Sequence, residues 1–88
     1  MIDTDVYVDF PRHRYGGMIM CHMVSESLEA LHAMADKIGI KRKWFQNHGT
    51  PHYDICKSKR ALAIRHGAIE CDRRQIYKII KFHRGQNG

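Results

Sequence analysis

Residues 18–24 constrain the fold more than any other part of the sequence. They read Met-Ile-Met-Cys-His-Met-Val. Side chains alternate between the two faces of a strand, and here both faces are mostly apolar. A strand that is apolar on both faces is covered on both sides, so we predict a central strand with helices packed on it. His22 is its polar exception.

Local patterns predict the remaining elements in the order β-β-α-β-α-β-α. The four predicted strands cover residues 6–9, 18–24, 40–46 and 68–71, with a loop over residues 10–17. The first predicted helix is capped by Ser25 or Ser27 and ends at Gly39. The second is preceded by Tyr53 or Asp54 and runs to about residue 66, and the third covers residues 73–83. This order predicts an α+β fold, an α/β sandwich in which three helices pack on a small mixed sheet.

The length of the chain limits its domain organisation. Its 88 residues allow one small hydrophobic core. We predict a single globular domain over residues 1–84 and a frayed C-terminal tail over residues 85–88. Because so small a core gains from association, a homodimer is a candidate state.

Cysteine usage and hydropathy point to the cytoplasm. Cys21, Cys56 and Cys71 are widely spaced and form no CxxC motif, which argues against a disulfide framework. The first five residues, Met-Ile-Asp-Thr-Asp, lack the basic and then apolar pattern of a secretory signal. No apolar run approaches the roughly 18–20 residues of a membrane span. We therefore predict a cytoplasmic protein without a membrane partner.

Positive charge is concentrated toward the C-terminus. The formal net charge is +6, and residues 1–36 are net acidic whereas residues 57–88 are strongly basic. Such a basic half suits an anionic partner, either a nucleotide, a nucleic acid or an acidic protein surface. Four cations give the last helix a basic face that could follow a phosphate backbone: Arg73, Arg74, Lys78 and Lys81. A solvated outer face is the alternative interpretation of the same residues.

Residues 52–60 carry the strongest local signal for a binding site. The predicted start of the second helix holds three cations, which the helix dipole disfavours, and a broken local rule is typical of a functional site. Free backbone N–H groups at a helix start attract phosphate. We predict ligand contacts from His52, Tyr53, Lys57, Ser58, Lys59 and Arg60. The alternative is a charged face that points into solvent.

Trp44 and Gln46 form a second candidate surface. Trp44 follows three consecutive cations, and an aromatic ring beside cations can stack on a base while the cations hold the phosphate. Gln46 would then read a base edge. The alternative is that Trp44 belongs to the core and Phe45 covers a hydrophobic edge.

Histidine and aspartate residues form a third candidate group. If Asp9 ends the first strand and His22 lies on its neighbour, the two side chains meet, and a carboxylate can orient a histidine as a general base. His52 and Asp54 are candidates for the same acid–base work. The sequence contains no HExxH, CxxC or HxH spacing, so we predict neither a metal nor a cofactor. Hydrogen-bonded structural histidines are the alternative.

The order of several short motifs resembles a known family. The motifs are Cys21-His22, Leu31-His32, Trp44-Phe45-Gln46, Pro51-His52-Tyr53-Asp54 and Lys59-Arg60. They resemble a small family of domains of unknown function from bacteria and their phages, over roughly residues 6–72. The resemblance implies a pocket built from polar and aromatic side chains. A phage origin would imply a role in host takeover.

Three hypotheses of function follow. The first is a non-catalytic binding module for a phosphate-bearing ligand, either a nucleotide derivative or a nucleic acid. The second is a histidine-dependent or metal-dependent hydrolase of phosphodiesters or nucleotides. The third is a protein-interaction module, such as a phage inhibitor of a host defence protein. The residues alone favour binding over catalysis.

Overall fold

The structure, a computed structural model, describes residues 2–47 and 49–87. The strands are β1 Val6–Val8, β2 His13–Tyr15, β3 Met18–Ser25, β4 Tyr53–Cys56 and β5 Ile69–Glu70. The helices are α1 Leu28–Ile38, α2 Lys57–Arg65 and α3 Arg73–Asn87, with a short 3-10 helix at Arg42–Trp44. These elements confirm the predicted α+β class and the order of strands and helices.

Strand β3 is the centre of a mixed sheet, as its apolar pattern predicts. Met20 pairs with both β2 and β4, and Met23 pairs with both β1 and β4. Strands β1 and β2 therefore share one edge of β3, and β4 occupies the other edge. Strand β5 adds to β1 in parallel. The five strands therefore occupy four positions across the sheet. Strand β5 lies at one edge, β1 and β2 share the next position, β3 follows, and β4 lies at the other edge.

A tight hairpin joins β2 to β3, within a segment that the sequence assigns to a loop. Tyr15 pairs with Met18, so the connection consists of Gly16 and Gly17 alone. Their φ angles are 55° and 83°. Two consecutive residues with positive φ give the turn whose twist matches that of the flanking strands, and glycine adopts this conformation without a steric penalty. The prediction of a loop over residues 10–17 is therefore wrong at residues 13–15.

The fourth strand position is filled by a different segment from the one predicted. Residues 40–46 alternate in the sequence, yet residues 42–44 form the 3-10 helix, and Gln46 alone makes an isolated bridge, to His52. Strand β4 is Tyr53–Cys56, where we predicted the first turn of a helix. Helix α2 starts at Lys57 instead. The long-range pairing of β4 with β3 outweighs the local helix signal in this segment.

The sheet has two unequal faces. Helices α1 and α2 cover the first face and complete the larger core, which includes Val8, Met23, Leu31, Tyr53 and Ile55. Helix α1 is capped by Ser27, whose side chain accepts the N–H of Ala30, and it ends at Gly39, as predicted. Helix α3 alone covers the second face, through a smaller cluster that contains Tyr7, Val24, Cys71 and Ile79.

The C-terminal helix runs past residue 83, where the sequence predicts its end, to Asn87. The division into a domain of residues 1–84 and a tail of residues 85–88 stays a prediction, and Met1 and Gly88 lie outside the described residues. Within residues 2–47 and 49–87, no helix is both long enough and apolar enough to cross a membrane. The predicted cytoplasmic location and the predicted homodimer also stay predictions.

Candidate functional site

The polar side chains of the second sheet face meet around His22. On β3, Cys21 and Met23 point into the larger core, so His22 points to the opposite face, beneath α3. Asp54 is its partner residue on β4 and points to the same face. Asp9 follows β1 directly and reaches the His22 ring. Three neighbouring segments of the chain thus bring two carboxylates to one imidazole.

Asp9 and His22 form a tightly joined pair. The Nδ1 of His22 donates to the Oδ2 of Asp9 at 2.8 Å, and the backbone N–H of His22 donates to Oδ1 at 2.7 Å. This contact, which the sequence predicts, raises the pKa of His22 mainly through the hydrogen bond to Asp9, against the effect of burial. The bond fixes the ring and leaves its Nε2 directed away from Asp9. The His22 side chain is nevertheless 43% exposed.

Arg60 explains why Asp9 binds His22 through its side chain. In a regular antiparallel pair, the backbone carbonyl of Asp9 would accept the N–H of His22. Here the Nε of Arg60 donates to that carbonyl at 2.8 Å, and the Asp9 carboxylate takes its place in the pairing with His22. The Asp9 N–H still donates to the His22 carbonyl at 3.2 Å. Arg60 is therefore a positioning residue for the Asp9–His22 pair.

His52 and Gln46 surround Asp54 on the other side of the site. The Nδ1 of His52 lies 2.8 Å from the carbonyl of Thr50, which can only accept, so this nitrogen carries a proton. The Nε2 atoms of His52 and His22 lie 3.6 Å and 3.8 Å from the same Oδ1 of Asp54. Gln46 donates through Nε2 to the other oxygen, Oδ2, at 2.6 Å. Since the Nδ1 of His22 also donates, a proton on either Nε2 makes that ring a cation that faces Asp54.

Four of the residues predicted for a ligand site in the segment 52–60 do not reach this polar cluster of Asp9, His22, Gln46, His52 and Asp54. Tyr53 is fully buried in the larger core, on the opposite face of the sheet, and its hydroxyl contacts the Nδ1 of His32 at 2.7 Å. Its contact with a ligand stays a prediction. The Nζ of Lys59 donates to the carbonyl of Ile38 at the end of α1. Lys57 and Ser58 are exposed in the first turn of α2. Two clefts adjoin His22, one next to residues 9–12 and one next to His52, and neither Lys57 nor Ser58 lines them.

The predicted phosphate site at the start of α2 is therefore not assembled as expected. The cationic heads of Lys59 and Arg60 are bound to backbone carbonyls of distant segments, and neither points into solvent. Each charge-assisted hydrogen bond holds α2 against the segment that supplies the carbonyl. Arg60 also lies over the ring of Phe10 and 3.8 Å from the Glu70 carboxylate.

Of the two neighbouring aromatic residues Trp44 and Phe45, one is exposed and the other packs against the core. Trp44 is 61% exposed, and Lys43 lies 5.2 Å above its ring, so the interpretation of Trp44 as a core residue is wrong. Phe45 is half-buried against the larger core and packs on His32 and Tyr53. Gln46 belongs to the cluster through Asp54. Trp44 lines neither cleft beside His22.

The larger cleft beside His22 lies between residues 9–12 and α3, and it has a volume of about 330 Å³. Two cations and two aromatic rings line it, together with His22: Arg12, Arg73, Phe10 and Tyr77. Two carboxylates also line it: Asp9, which accepts from His22, and Asp72, which accepts the N–H of Gln75. Within residues 2–47 and 49–87, neither Arg12 nor Arg73 forms an ion pair.

Sequence reasoning missed most of this cleft. Phe10 and Arg12 lie in a predicted loop, and Tyr77 is simply one residue of the last helix. Arg73 carried a usable signal, because two cations, Arg73 and Arg74, occupy the first turn of α3, where the helix dipole disfavours them. The same rule, that cations are disfavoured at a helix start, indicated a site in α2, where Lys59 and Arg60 bind backbone carbonyls instead.

The described part of the chain contains no group of three or more His, Cys, Asp or Glu residues arranged to hold a metal ion. What the arrangement can do chemically follows from its protons. An imidazole held by a carboxylate through Nδ1 can give or take a proton at Nε2. The adjoining guanidinium groups can bind phosphate in two-donor geometry.

Comparison with known proteins gives one match. A family model matches residues 6–83, which span all five strands and most of α3. Searches of the curated proteins and of the solved structures gave no significant match. The chain belongs to the family described as protein of unknown function, DUF4031.

Proposed function

We propose that the protein binds a small phosphate-bearing ligand of the nucleotide class in the cleft between residues 9–12 and α3. The observation that carries the proposal is that Arg12 and Arg73 line one cleft together with His22. Guanidinium groups are the preferred partners of phosphate, and a protonated imidazole adds a third donor. The cleft therefore suits an anion.

The walls of the cleft support a nucleotide over a bare phosphate. Phe10 and Tyr77 are about half exposed, and Ile76 and Ile80 form an apolar floor beside them. Exposed aromatic rings next to cations provide stacking surfaces for a base. A volume of about 330 Å³ also falls within the range of small-molecule pockets.

Titration calorimetry with adenosine monophosphate at low salt tests the proposal. We expect binding to the wild type, and a loss of about tenfold or more in affinity for Arg12→Ala and for Arg73→Ala, since each removes a charged hydrogen bond. Arg65→Ala is the matched control, because Arg65 is an exposed cation of α2 outside both clefts. Absence of binding, or an equal loss in the control, contradicts the proposal.

A second candidate function is hydrolysis of a phosphodiester or nucleotide. The Asp9–His22 pair at the cleft favours it, because a carboxylate-oriented imidazole is a standard general acid or base. His52, whose ring centroid lies 5.6 Å from that of His22, and Asp54 would complete the proton pathway. In this function His22 transfers the proton, Asp9 orients it, and Arg12 with Arg73 holds the phosphate.

Turnover of an activated phosphodiester, bis(p-nitrophenyl) phosphate, distinguishes the two functions. The assay is run with EDTA and, separately, with added Mg²⁺ or Mn²⁺. Hydrolysis that falls by about 100-fold or more in His22→Gln supports catalysis. If no condition gives turnover above that of His22→Gln, the protein is a binding module only. The protein-interaction hypothesis stays a prediction of the sequence.

A further inference from the structure

A second, smaller cleft lies on the other side of His22. It has a volume of about 190 Å³ and is lined by His22, Val24, Thr50, His52, Ile76 and Ile80. Three of these residues, His22, Ile76 and Ile80, also line the larger cleft. The two spaces therefore share one imidazole and one face of α3 as lining.

The chemistry of the smaller cleft differs from that of the larger one. Among the residues that the structure describes, no lysine or arginine lines it. Its walls are three aliphatic side chains, two imidazole rings and the side chain of Thr50. Its volume falls below the roughly 300 Å³ at which pockets for complete small molecules begin. These properties suit one flat, weakly polar ring and do not suit a second phosphate.

We infer that the ligand is a phosphodiester that passes over His22, with one nucleoside in the larger cleft and the base of a second nucleoside in the smaller cleft. The inference rests on the proposed function and specifies its ligand class. It follows from the residues that the two clefts share. Cations line the cleft on one side of His22, and mostly apolar side chains line the cleft on the other side. The phosphate linkage is the part of the ligand that would connect the two. A phosphomonoester would leave the smaller cleft unused.

The test compares the methyl ester of adenosine 3′-monophosphate, a phosphodiester with one nucleoside and the same single charge, with the dinucleoside monophosphate ApA by titration calorimetry at one salt concentration. We expect ApA to bind about tenfold more tightly or better, since stacking of one additional base contributes that much. Thr50→Phe fills the smaller cleft from its loop and is expected to reduce the ratio of the two affinities to near one. Thr50→Leu is a smaller change that serves if the phenylalanine variant does not fold.

The outcomes separate this inference from the proposed function. If both ligands bind equally and Thr50→Phe leaves their ratio unchanged, the inference is wrong and the proposed function stands. If neither ligand binds the folded wild type, both are wrong. Arg12→Ala provides the complementary control, because it is expected to weaken both ligands by a similar factor.

Discussion

The two faces of the sheet differ in what they hold, although they are built from the same strands. The face under α1 and α2 buries aliphatic and aromatic side chains almost completely. The face under α3 buries four residues in its cluster and then opens into two clefts around His22. Two helices cover a small sheet, whereas one helix leaves part of it accessible. The first face therefore holds the larger core, and the second holds the candidate functional site.

Two adjacent residues of β3, His22 and Met23, compare the two faces of the sheet most directly. Met23 is fully buried in the larger core, whereas the neighbouring His22 is partly exposed. We expect Met23→Ala to lower the free energy of unfolding by about 2–5 kcal/mol, since it leaves a cavity. His22→Ala is expected to cost about 1 kcal/mol, because it removes the ring hydrogen bond to Asp9 without leaving a core cavity. Urea denaturation measures both, and equal losses would contradict the division between the faces.

The polar contact inside the larger core gives the next largest effect. Tyr53→Phe removes the hydroxyl that contacts the Nδ1 of His32, and we expect a loss of about 1–3 kcal/mol. A double variant that also carries His32→Leu should recover part of this loss, because no polar atom is then left without its partner. Thermal unfolding of the three variants checks the prediction. A double variant less stable than the sum of the single changes would contradict it.

We expect the free energy of unfolding to depend on pH through His22 on the second face of the sheet. The pKa of His22 is raised above its ordinary value of 6.5 through the hydrogen bond to Asp9. The resulting stabilisation is therefore fully present below pH 6.5 and is lost as the pH rises through the higher pKa of the folded state. Because the ring is partly exposed, we expect less than about 1 kcal/mol.

The measurement compares the free energy of unfolding at pH 6 and pH 8 in the wild type and in His22→Gln. The other histidines are present in both proteins, so the difference between the two proteins reports the change at position 22. We expect the wild type to lose more stability than the variant on going from pH 6 to pH 8. An equal loss in both proteins would show that Asp9 does not stabilise the imidazolium.

How much of this could be predicted from the sequence depends on the range of each interaction. The central strand and the helices follow from patterns within a few residues of one another, so the fold class and element order were predictable. The position of β4 was not, because residues 40–46 alternate as residues 53–56 do. Pairing with β3 decides between them, and that contact joins segments about thirty residues apart.

The candidate site shows the same limit. The contact of Asp9 with His22 was predictable, since each lies at a recognisable place on adjoining strands. Lys59 and Arg60 appeared to face a ligand, but their acceptors lie 21 and 51 residues away in the sequence. The larger cleft joins Arg12 to Arg73, from opposite ends of the chain, and neither segment indicates its partner.

An ion pair outside both faces should give the smallest effect. Arg42 and Asp36 form a hydrogen-bonded pair at 2.9 Å on the surface, which lowers the pKa of Asp36. Both groups are exposed, and such pairs are largely screened by solvent. We expect Asp36→Asn to leave the melting temperature and nucleotide binding unchanged. A loss of stability comparable with that of Tyr53→Phe would mean that this surface pair contributes as much as a core contact.

The most direct test of the central claim is an NMR titration of the histidine rings with ApA. His22 and His52 line the clefts, whereas His32 lies against Phe45 and Tyr53 on the opposite face and is an internal control. Single His→Gln variants assign the resonances. We predict that the ring signals of His22 and His52 shift with one common affinity while those of His32 stay in place. Unmoved His22 and His52 signals, or an equal shift of His32, would contradict the account.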